Sequence, residues 1–447
     1  MWQTLPLGPA HFDLSPYNCV SSHAGNPLLI SREALCSESW FDSTRCNPSS
    51  NRRALLVEAR HQFEQAALPE ERAAFEEFTT RSAHWLEDYA LYQALRDSQG
   101  DLPWFAWPTP LRDRKASALN QARKTLSDAR AQIRFEQFLF FRQWNNLRQA
   151  ANARGIRMFG DVAIFVAHDS ADVWSHRECF QLDKHGQPTV VAGVPPDYFS
   201  ETGQRWGNPL YDWEKHEEEV IALWADRMRT QATLFDLVRI DHFRGLDAHW
   251  AIPAAEPLPA AGRWVPTPGD KLLTALRERC GTLHLVAEDL GVITESVDNL
   301  RRKHHLPGMQ VLQFGFDGDP NNRHLLHAHD PLNLVYTGTH DNNTTLGWFN
   351  SLPHEVKDQV LGYFGYPAEP MPWPLLRFAL ASVANIAILP MQDVLGLDGE
   401  HRMNTPGTST GNWQWRFDWA QVSEETANRL AHFTWRYGRT TSDCSER

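Results

Sequence analysis

Short apolar runs rich in β-branched residues alternate with longer segments of helical periodicity over most of the chain. The runs have strand length and end in polar or charged residues, whereas the longer segments repeat apolar positions every three or four residues. The pattern predicts strands at Gln3–Leu7, Arg157–Val166, Phe235–His242, His284–Asp289, Met309–Phe316, Leu334–Asp341 and Ala387–Asp393. It predicts helices between them at Glu214–Thr230, Gly269–Arg279, Glu295–Lys303 and Pro372–Asn385. Alternating strands and helices indicate parallel pairing through right-handed crossovers.

Residues 31–155 follow a different pattern. They are rich in Glu, Arg, Ala and Gln, are nearly free of glycine, and are broken once, by Pro103, Pro108 and Pro110. Helical periodicity runs through 52–67, 70–98 and 119–154. We therefore expect a mainly helical insertion subdomain over 31–155.

The fold class that follows is α/β, a (β/α)8 TIM barrel with a large helical insertion. Residues 1–30 would begin the catalytic barrel from its second strand onward, and 156–447 would supply the rest with the active-site loops. A closed barrel needs eight strands, and the pattern supplies seven. The missing first strand would lie before Met1.

Composition and charge exclude several classes of protein. The 447 residues carry a net charge of -12, which disfavours nucleic acid and anionic membranes as partners. There is no apolar run long enough to span a membrane, and the start of the chain lacks the basic and apolar regions of a signal peptide. Six cysteines without paired spacing indicate reduced thiols and a cytoplasmic protein.

Carboxylates cluster where the predicted strands end. These strand ends carry Asp161, then Arg239 with Asp241, Glu288 with Asp289, and His340 with Asp341. Active sites of such barrels lie at the carboxyl ends of the strands, and buried carboxylates are costly unless they are paired or functional. A salt bridge or a strand-end cap would explain any one of these acids, but the set as a whole indicates a catalytic site.

Glycoside chemistry needs such a set. One carboxylate attacks the anomeric carbon, and a second, kept protonated, donates to the leaving oxygen. Crowding of carboxylates raises one pKa, which suits an acid at neutral pH. Tryptophan (18 residues) outnumbers both tyrosine (9) and methionine (7). Indole faces stack on sugar rings, although an aromatic core would give the same count.

Several longer motifs resemble those of the 4-α-glucanotransferase (amylomaltase, disproportionating enzyme) family of the α-amylase-like clan. The resemblance runs from Trp2 to about Gly438. It rests on Trp2–Pro9, Ser15–Tyr17, Ala24–Pro27, Asp169–Trp174, Val191–Phe199, Gly203–Tyr211, Pro406–Thr408 and Gly411–Trp413.

The resemblance implies a role for each candidate residue. Asp241 would be the nucleophile, Glu288 the acid/base and Asp341 the group that holds the sugar hydroxyls and stabilises the oxocarbenium-like state. Around them, the resemblance places the substrate-binding residues Tyr17, Asp161, Asp197, Trp206, Arg239 and His340. It implies maltooligosaccharides and other α-1,4-glucans as substrates, and neither a metal nor an organic cofactor.

Two other functions stay open at the level of sequence. An α-glucan hydrolase of the same clan shares the first half of the reaction, and water instead of a glucan hydroxyl would then meet the intermediate. The long loop predicted over Val191–Tyr211 would favour transfer by covering the acceptor site. A truncated, non-catalytic glucan-binding protein is the third possibility. No motif indicates an oligomeric state.

Family members carry a further N-terminal stretch, with the first barrel strand and helix, ahead of the segment that matches Trp2. The chain is therefore expected to be a fragment, a truncated protein or the product of a mis-assigned start codon. An open barrel exposes strand edges, so we expect residues 1–447 alone to be poorly soluble.

Three further motifs carry competing interpretations. The histidines of His324–His329 resemble metal ligands, but zinc sites need more ligands in a supporting geometry, so ordinary histidines are favoured. The Gly407–Gly411 segment matches a nucleophile elbow without the strand and helix that the motif requires. Trp413 and Trp415 are interpreted equally well as an outer sugar subsite or as packing beneath the barrel.

Overall fold

The computed structural model describes residues 1–46, 51–196 and 202–440. The chain divides into two compact units, Met1–Leu285 and Val286–Arg447.

The first unit contains most of the helices and two sets of strands. Its strands are β1 (Trp2–Gln3), β2 (Met158–Val162), β3 (Val190–Val194), β4 (Gln204–Pro209), β5 (Leu237–Ile240), β6 (Ala248–Pro253) and β7 (Arg263–Pro266). Its helices are α1 (Arg32–Cys36), α2 (Arg52–Ala66), α3 (Pro69–Arg81), α4 (Ala83–Ser98), α5 (Thr109–Arg112), α6 (Ala116–Thr125), α7 (Ser127–Asn152), α8 (Ala171–Ser175), α9 (Glu217–Leu234) and α10 (Gly269–Cys280).

The second unit is smaller, and β8 (Leu285–Ala287) begins at the boundary between the units. Its other strands are β9 (Met309–Val311), β10 (Leu334–Tyr336) and β11 (Ile386–Ile388). Its helices are α11 (Glu295–Lys303), α12 (Thr345–Ser351), α13 (His354–Tyr363), α14 (Trp373–Ala381), α15 (Met391–Val394) and α16 (Glu424–Arg436).

Parallel pairing in the first unit places polar residues side by side. β2 pairs with β1 and with β5, and Asp161 lies opposite Arg239 in the β2–β5 register. Side chains that face each other across paired strands point to the same side of the sheet, and so do residues two apart on one strand. The register therefore sets Asp161, Arg239 and the following Asp241 on one face.

The first unit also contains an antiparallel sheet of order β4–β3–β6–β7. The sequence predicts a loop over Val191–Tyr211, and that prediction is wrong, because β3 and β4 pair within this segment. Proline and glycine flank both strands and hide their alternation. Trp206 consequently lies on a strand, whereas Asp197 lies outside the described residues.

Parallel strands recur in the second unit, where β10 lies between β9 and β11. Leu334 pairs with Met309 on one side and with Ile386 on the other. Val335, Leu312 and Leu375 are fully buried in the core behind these strands. Each predicted strand overlaps an observed one, although β1 and β11 begin one residue earlier than predicted. The observed strands are shorter than the predicted ones, so His340 and Asp341 lie on a loop beyond β10.

The region from α1 to α7 is helical, and it is held by an aromatic core. Phe63 and Phe135 have ring centroids 5.1 Å apart, and Trp40 packs edge-on against Phe63 at 5.2 Å. Large buried aromatic side chains contribute strongly to core stability.

Cys36 and Cys46 form a disulfide in this region, with Cα atoms 5.9 Å apart. That spacing is usual for a disulfide. The prediction of reduced thiols is therefore wrong for this pair, because the chain between α1 and α2 brings two cysteines together that their sequence spacing does not mark as partners.

Throughout the described ranges, every helix is too short or too polar to span a bilayer.

Candidate active site

The first unit assembles four of the predicted site residues around one guanidinium group. Arg239 donates from Nη1 to Asp161 Oδ2 at 2.6 Å, and its Nη2 lies 2.9 Å from Asp241 Oδ1. The hydroxyl of Tyr17 donates to the same Asp161 oxygen at 2.8 Å. Two anions and one cation are thus connected at the end of β2 and β5.

Burial differs sharply within this group. Asp161 and Arg239 are 1% and 3% exposed, whereas the side chain of Asp241 keeps 29% of its exposure. Buried charges need partners, and Asp161 and Arg239 compensate each other. Asp241 is supported by the same cation and still presents its carboxylate to solvent, as a group that must meet a substrate requires.

Trp206 lies beside His242, the residue that follows Asp241. The two rings meet edge-to-face, with centroids 4.8 Å apart. The backbone of His242 has φ 50°, in the left-handed region that non-glycine residues seldom occupy. Burial of the ring lowers the pKa of His242 to about 4, so the imidazole is neutral at pH 7.

Glu288 follows β8 directly, and its Oε1 accepts a hydrogen bond from the amide of Leu290 at 3.1 Å. Its neighbour Asp289 is held by a backbone amide and two arginines. Asp289 accepts from the amide of Met309 at 2.7 Å and from Arg323 Nη2 at 2.8 Å, and Arg301 Nε lies 3.4 Å away.

Asp289 is 1% exposed, and burial raises its pKa in spite of the two arginines. The Asp289 carboxylate packs closely against Gly308, where a Cβ would lie only 2.4 Å from Asp289 Oδ2. The backbone on the C-terminal side of Glu288 is therefore fixed by a buried ionic anchor.

Asp341 is held by residues from a distant part of the sequence. Asn404 donates from Nδ2 to Asp341 Oδ1 at 2.6 Å, and His340 Nε2 lies 3.4 Å from Oδ2. Arg402 donates to the main-chain carbonyl of Asp341. Trp413 packs against the ring of His340, with centroids 5.7 Å apart.

The predicted site residues thus fall into groups. The first unit joins Tyr17, Asp161, Arg239 and Asp241, and the second unit joins His340 with Asp341. Of the other candidates, Trp206 packs on His242, and Glu288 is placed at the end of β8.

Sequence reasoning missed His242, Arg402 and Asn404 as members of the site. His242 follows Asp241 directly in the sequence, and this adjacency could have indicated that it lies near the site. Asn404 is 63 residues from Asp341, and no local pattern links the two.

Trp413 and Trp415 have different neighbours. Trp413 contacts His340, whereas Trp415 stacks on Phe417, with ring centroids 5.8 Å apart.

The histidines of 324–329 have protein partners. His324 Nδ1 accepts from the amide of Val311 at 3.0 Å, and His329 Nδ1 lies 2.6 Å from Ser382 Oγ. Within the described residues, no group of three or more His, Cys, Asp or Glu side chains is arranged to hold a metal ion.

The three carboxylates differ in their surroundings, which suits them to different chemical tasks. Asp241 is paired with a cation, as an anionic nucleophile requires. Glu288 has a backbone amide as its hydrogen-bond donor, and Asp341 has an amide side chain and a histidine. This division matches what stepwise transfer at an anomeric carbon needs.

Comparison with known proteins points to one family. A family model described as 4-alpha-glucanotransferase matches residues 1–421. The 4-alpha-glucanotransferase of Thermus thermophilus is 49% identical over 448 residues, which cover 96% of this chain and 89% of the relative. The 4-alpha-glucanotransferase of Synechocystis sp. is 42% identical over 460 residues, which cover 98% of this chain and 90% of that protein.

A solved structure shows the same likeness in three dimensions. The amylomaltase from Streptococcus agalactiae, solved in complex with acarbose, superposes with a TM-score of 0.93 at 33% identity. The match covers 98% of this chain and 92% of that one.

Proposed function

We propose that this chain, which belongs to the 4-alpha-glucanotransferase family, acts on α-1,4-glucans by a retaining double displacement. The reaction would pass through a covalent glucosyl-enzyme. The family relationship makes the chain an enzyme that acts on α-glucans. The mechanism and the residue roles below are the proposal.

In the first step, a carboxylate oxygen of Asp241 attacks the anomeric carbon of the donor glucan. The glycosidic C–O bond breaks, and Glu288 gives its proton to the departing 4-oxygen. The products of this step are a glucosyl ester on Asp241, a Glu288 carboxylate and a released glucan with a free 4-hydroxyl.

In the second step, the 4-hydroxyl of an acceptor glucan attacks the same anomeric carbon. Glu288 removes the proton of that hydroxyl as the new C–O bond forms, and Asp241 leaves as a carboxylate. Two displacements retain the α configuration, and the enzyme returns to its starting protonation state.

Asp341 acts on the transition state between these species. Its carboxylate accepts hydrogen bonds from sugar hydroxyls and opposes the positive charge that develops on the ring. The contacts with Asn404 and His340 support this role by fixing both carboxylate oxygens.

The remaining site residues bind the substrate. Tyr17 stacks on the ring being cleaved, and Asp161 forms the floor of that subsite. Arg239 and His340 line it, while Trp206 and Asp197 serve the acceptor side. The fold part of the proposal is a (β/α)8 barrel, in which catalytic residues follow the strands.

One observation carries the proposal best, namely the two-sided contact of Arg239 with Asp161 and Asp241. It keeps a negative charge compensated on a carboxylate that stays accessible. An accessible carboxylate whose charge is compensated in this way suits a group that must meet a substrate as an anion.

Maltotriose tests the function directly. Incubation with the protein should give free glucose together with maltopentaose and longer chains, and Asp241→Asn should give neither. Glucose and maltose without any longer chain would instead show a hydrolase, and binding without turnover would show a glucan-binding protein.

A further inference from the structure

Asp393 is a buried carboxylate that takes no part in the chemistry described so far. It is 1% exposed, and it belongs to α15, which follows β11 in the chain. Within the described residues, no arginine, lysine or histidine pairs with it at 4.0 Å or less. A charge in this position is costly unless its hydrogen bonds are strong and serve a purpose.

Within the described residues, two threonines supply the hydrogen bonds of its carboxylate. Thr337 Oγ1 donates to Oδ2 at 2.6 Å, and Thr345 Oγ1 donates to the same oxygen at 2.7 Å. The amide of Thr345 donates to Oδ1 at 2.7 Å. Both threonines have no exposed surface. Hydrogen bonds to an ionised acceptor are stronger than those between neutral groups.

The two threonines lie at the two ends of the loop that carries Asp341. Thr337 follows β10 directly, and Thr345 is the first residue of α12. Between them runs the loop 338–344, which carries His340 and Asp341. The carboxylate of Asp393 therefore holds the first and last anchor points of that loop together.

The loop also has contacts of its own besides those of Asp341 with Asn404 and Arg402. Asn342 Oδ1 accepts from the amide and hydroxyl of Thr339, and Gln313 donates to the carbonyl of Asn343 at 3.0 Å. The carboxylate of Asp341 itself keeps 46% of its exposure. Asn404 and Arg402 contact Asp341 within the loop, whereas Asp393 joins the residues at its two ends.

We propose that Asp393 is a positioning residue for Asp341, acting through Thr337 and Thr345 to fix the loop that presents Asp341 to the sugar. The inference rests on the role proposed above for Asp341. Loss of either hydroxyl would let the loop relax, and a displacement of about 1 Å in a catalytic group can cost roughly a hundredfold in rate.

Asp393→Ala is the obvious variant, but a cavity beside two buried hydroxyls would endanger folding. The threonines allow a finer test. Thr337→Val and Thr345→Val keep the side-chain shape and remove the hydroxyl, whereas Thr337→Ser and Thr345→Ser keep the hydroxyl.

A matched control is Thr230→Val. Thr230 is a buried threonine of α9 whose Oγ1 lies 2.8 Å from His23 Nδ1, and it is not part of the loop 338–344. This variant reports what the loss of a buried hydroxyl does to stability without touching the loop.

Transfer from maltotriose would be measured for each variant, together with the melting temperature. We expect both valine variants to lower kcat by about tenfold to a hundredfold, with KM changed less than about threefold. The serine variants should recover kcat to within about threefold of wild type, and Thr230→Val should lower only the melting temperature.

Two results would overturn the inference. One is a near wild-type kcat in the valine variants, with a fall in melting temperature like that of Thr230→Val. The other is an equal loss of kcat in the serine and valine variants, because the hydroxyl would then not be the active feature.

Asp341→Asn separates this inference from the proposed function. Full transfer by Asp341→Asn would overturn the role of Asp341 and the inference with it. Inactive Asp341→Asn beside fully active valine variants would overturn the inference alone.

Discussion

Asp161 and Arg239 occupy opposing positions on the neighbouring strands β2 and β5, and Arg239 Nη1 lies 2.6 Å from Asp161 Oδ2. The pairing register alone brings them together, because opposing residues of parallel strands face the same side of the sheet. The guanidinium is thereby fixed, and its second arm reaches Asp241 two residues further on. A buried ion pair thus sets the geometry of an accessible carboxylate.

Removal of the charge of Asp161 should affect both stability and catalysis. Asp161→Asn leaves the buried Arg239 with one carboxylate instead of two, so we expect the free energy of unfolding to fall by about 3 kcal/mol. The value of kcat/KM should fall by about a hundredfold, because Arg239 no longer holds Asp241 in place. Urea unfolding and initial rates on maltotriose would measure the two effects.

Tyr17→Phe is the control for that variant. It removes the hydroxyl that donates to the Asp161 carboxylate but leaves the ion pair in place, so the free energy of unfolding should fall by about 1.5 kcal/mol. Equal destabilisation by the two variants would show that the ion pair is not what holds this part of the site.

Asn404 should control the electrostatics of Asp341. Asn404→Asp has nearly the same shape but sets a second carboxylate at the position now 2.6 Å from Asp341 Oδ1. Repulsion between the two carboxylates raises the pKa of one of them. We expect kcat/KM to fall further than in Asn404→Ala, and the acid limb of the pH–rate profile to move to higher pH.

The profiles of both variants would be recorded between pH 4 and 8. Identical acid limbs in Asn404→Asp and Asn404→Ala would contradict the contact with Asp341.

Gly308 should be intolerant of any side chain. In Gly308→Ala the new methyl would lie 2.4 Å from Asp289 Oδ2 and displace the anchor beside Glu288. We expect a loss of about 1–3 kcal/mol in the free energy of unfolding, together with a lower kcat.

Gly362→Ala is the matched control, because its nearest new contact would be 3.4 Å and it lies within α13. Alanine is the better helix former, so that variant should be neutral or more stable by up to about 1 kcal/mol. A Gly308→Ala protein as stable and active as wild type would contradict the anchoring role of Asp289.

Acid should destabilise the protein through its buried histidines. Burial lowers the pKa of His23 to about 4, although Asp172 opposes this shift, while Arg227 and His84 add to it and Asp226 opposes it weakly. The unfolded chain therefore binds the proton first as the pH falls. The stability that neutral His23 contributes is complete above pH 6.5 and is lost progressively between pH 6.5 and about 4.

In that window, His23 should contribute a slope of about 1.4 kcal/mol per pH unit to the free energy of unfolding. Urea unfolding of wild type and His23→Gln at several pH values would measure it. A plot of the free energy of unfolding against pH should be steeper for wild type than for His23→Gln, by about 1.4 kcal/mol per pH unit. Parallel plots for the two proteins would contradict the prediction.

The approximate positions of the strands were predictable because parallel strands leave a clear signal in the sequence. Each predicted strand overlaps an observed one, and the register of β2 and β5 places Asp161 opposite Arg239. The helix at Glu295–Lys303 was also predicted correctly, with acidic residues in its first turn and basic residues in its last.

The antiparallel sheet and the contacts of Asp341 could not be predicted in the same way. Gly193 lies within β3 and Gly207 within β4, and proline and glycine flank the strands, so their alternation is too weak to recognise. The contacts of Asn404 and Asp393 with the Asp341 loop join residues 48–63 positions apart. The periodicity of a single sequence indicates local structure and gives no information on such long-range contacts.

The most direct test of the mechanism is to trap the covalent intermediate in Glu288→Gln. With α-maltotriosyl fluoride as donor, fluoride can leave without an acid, while the missing base should slow the second step, so the glucosyl-enzyme accumulates. Intact-mass and peptide mass spectrometry should show one maltotriosyl adduct, located on Asp241. Release of fluoride without an adduct, or an adduct on another residue, would contradict the assignment of Asp241 as the nucleophile.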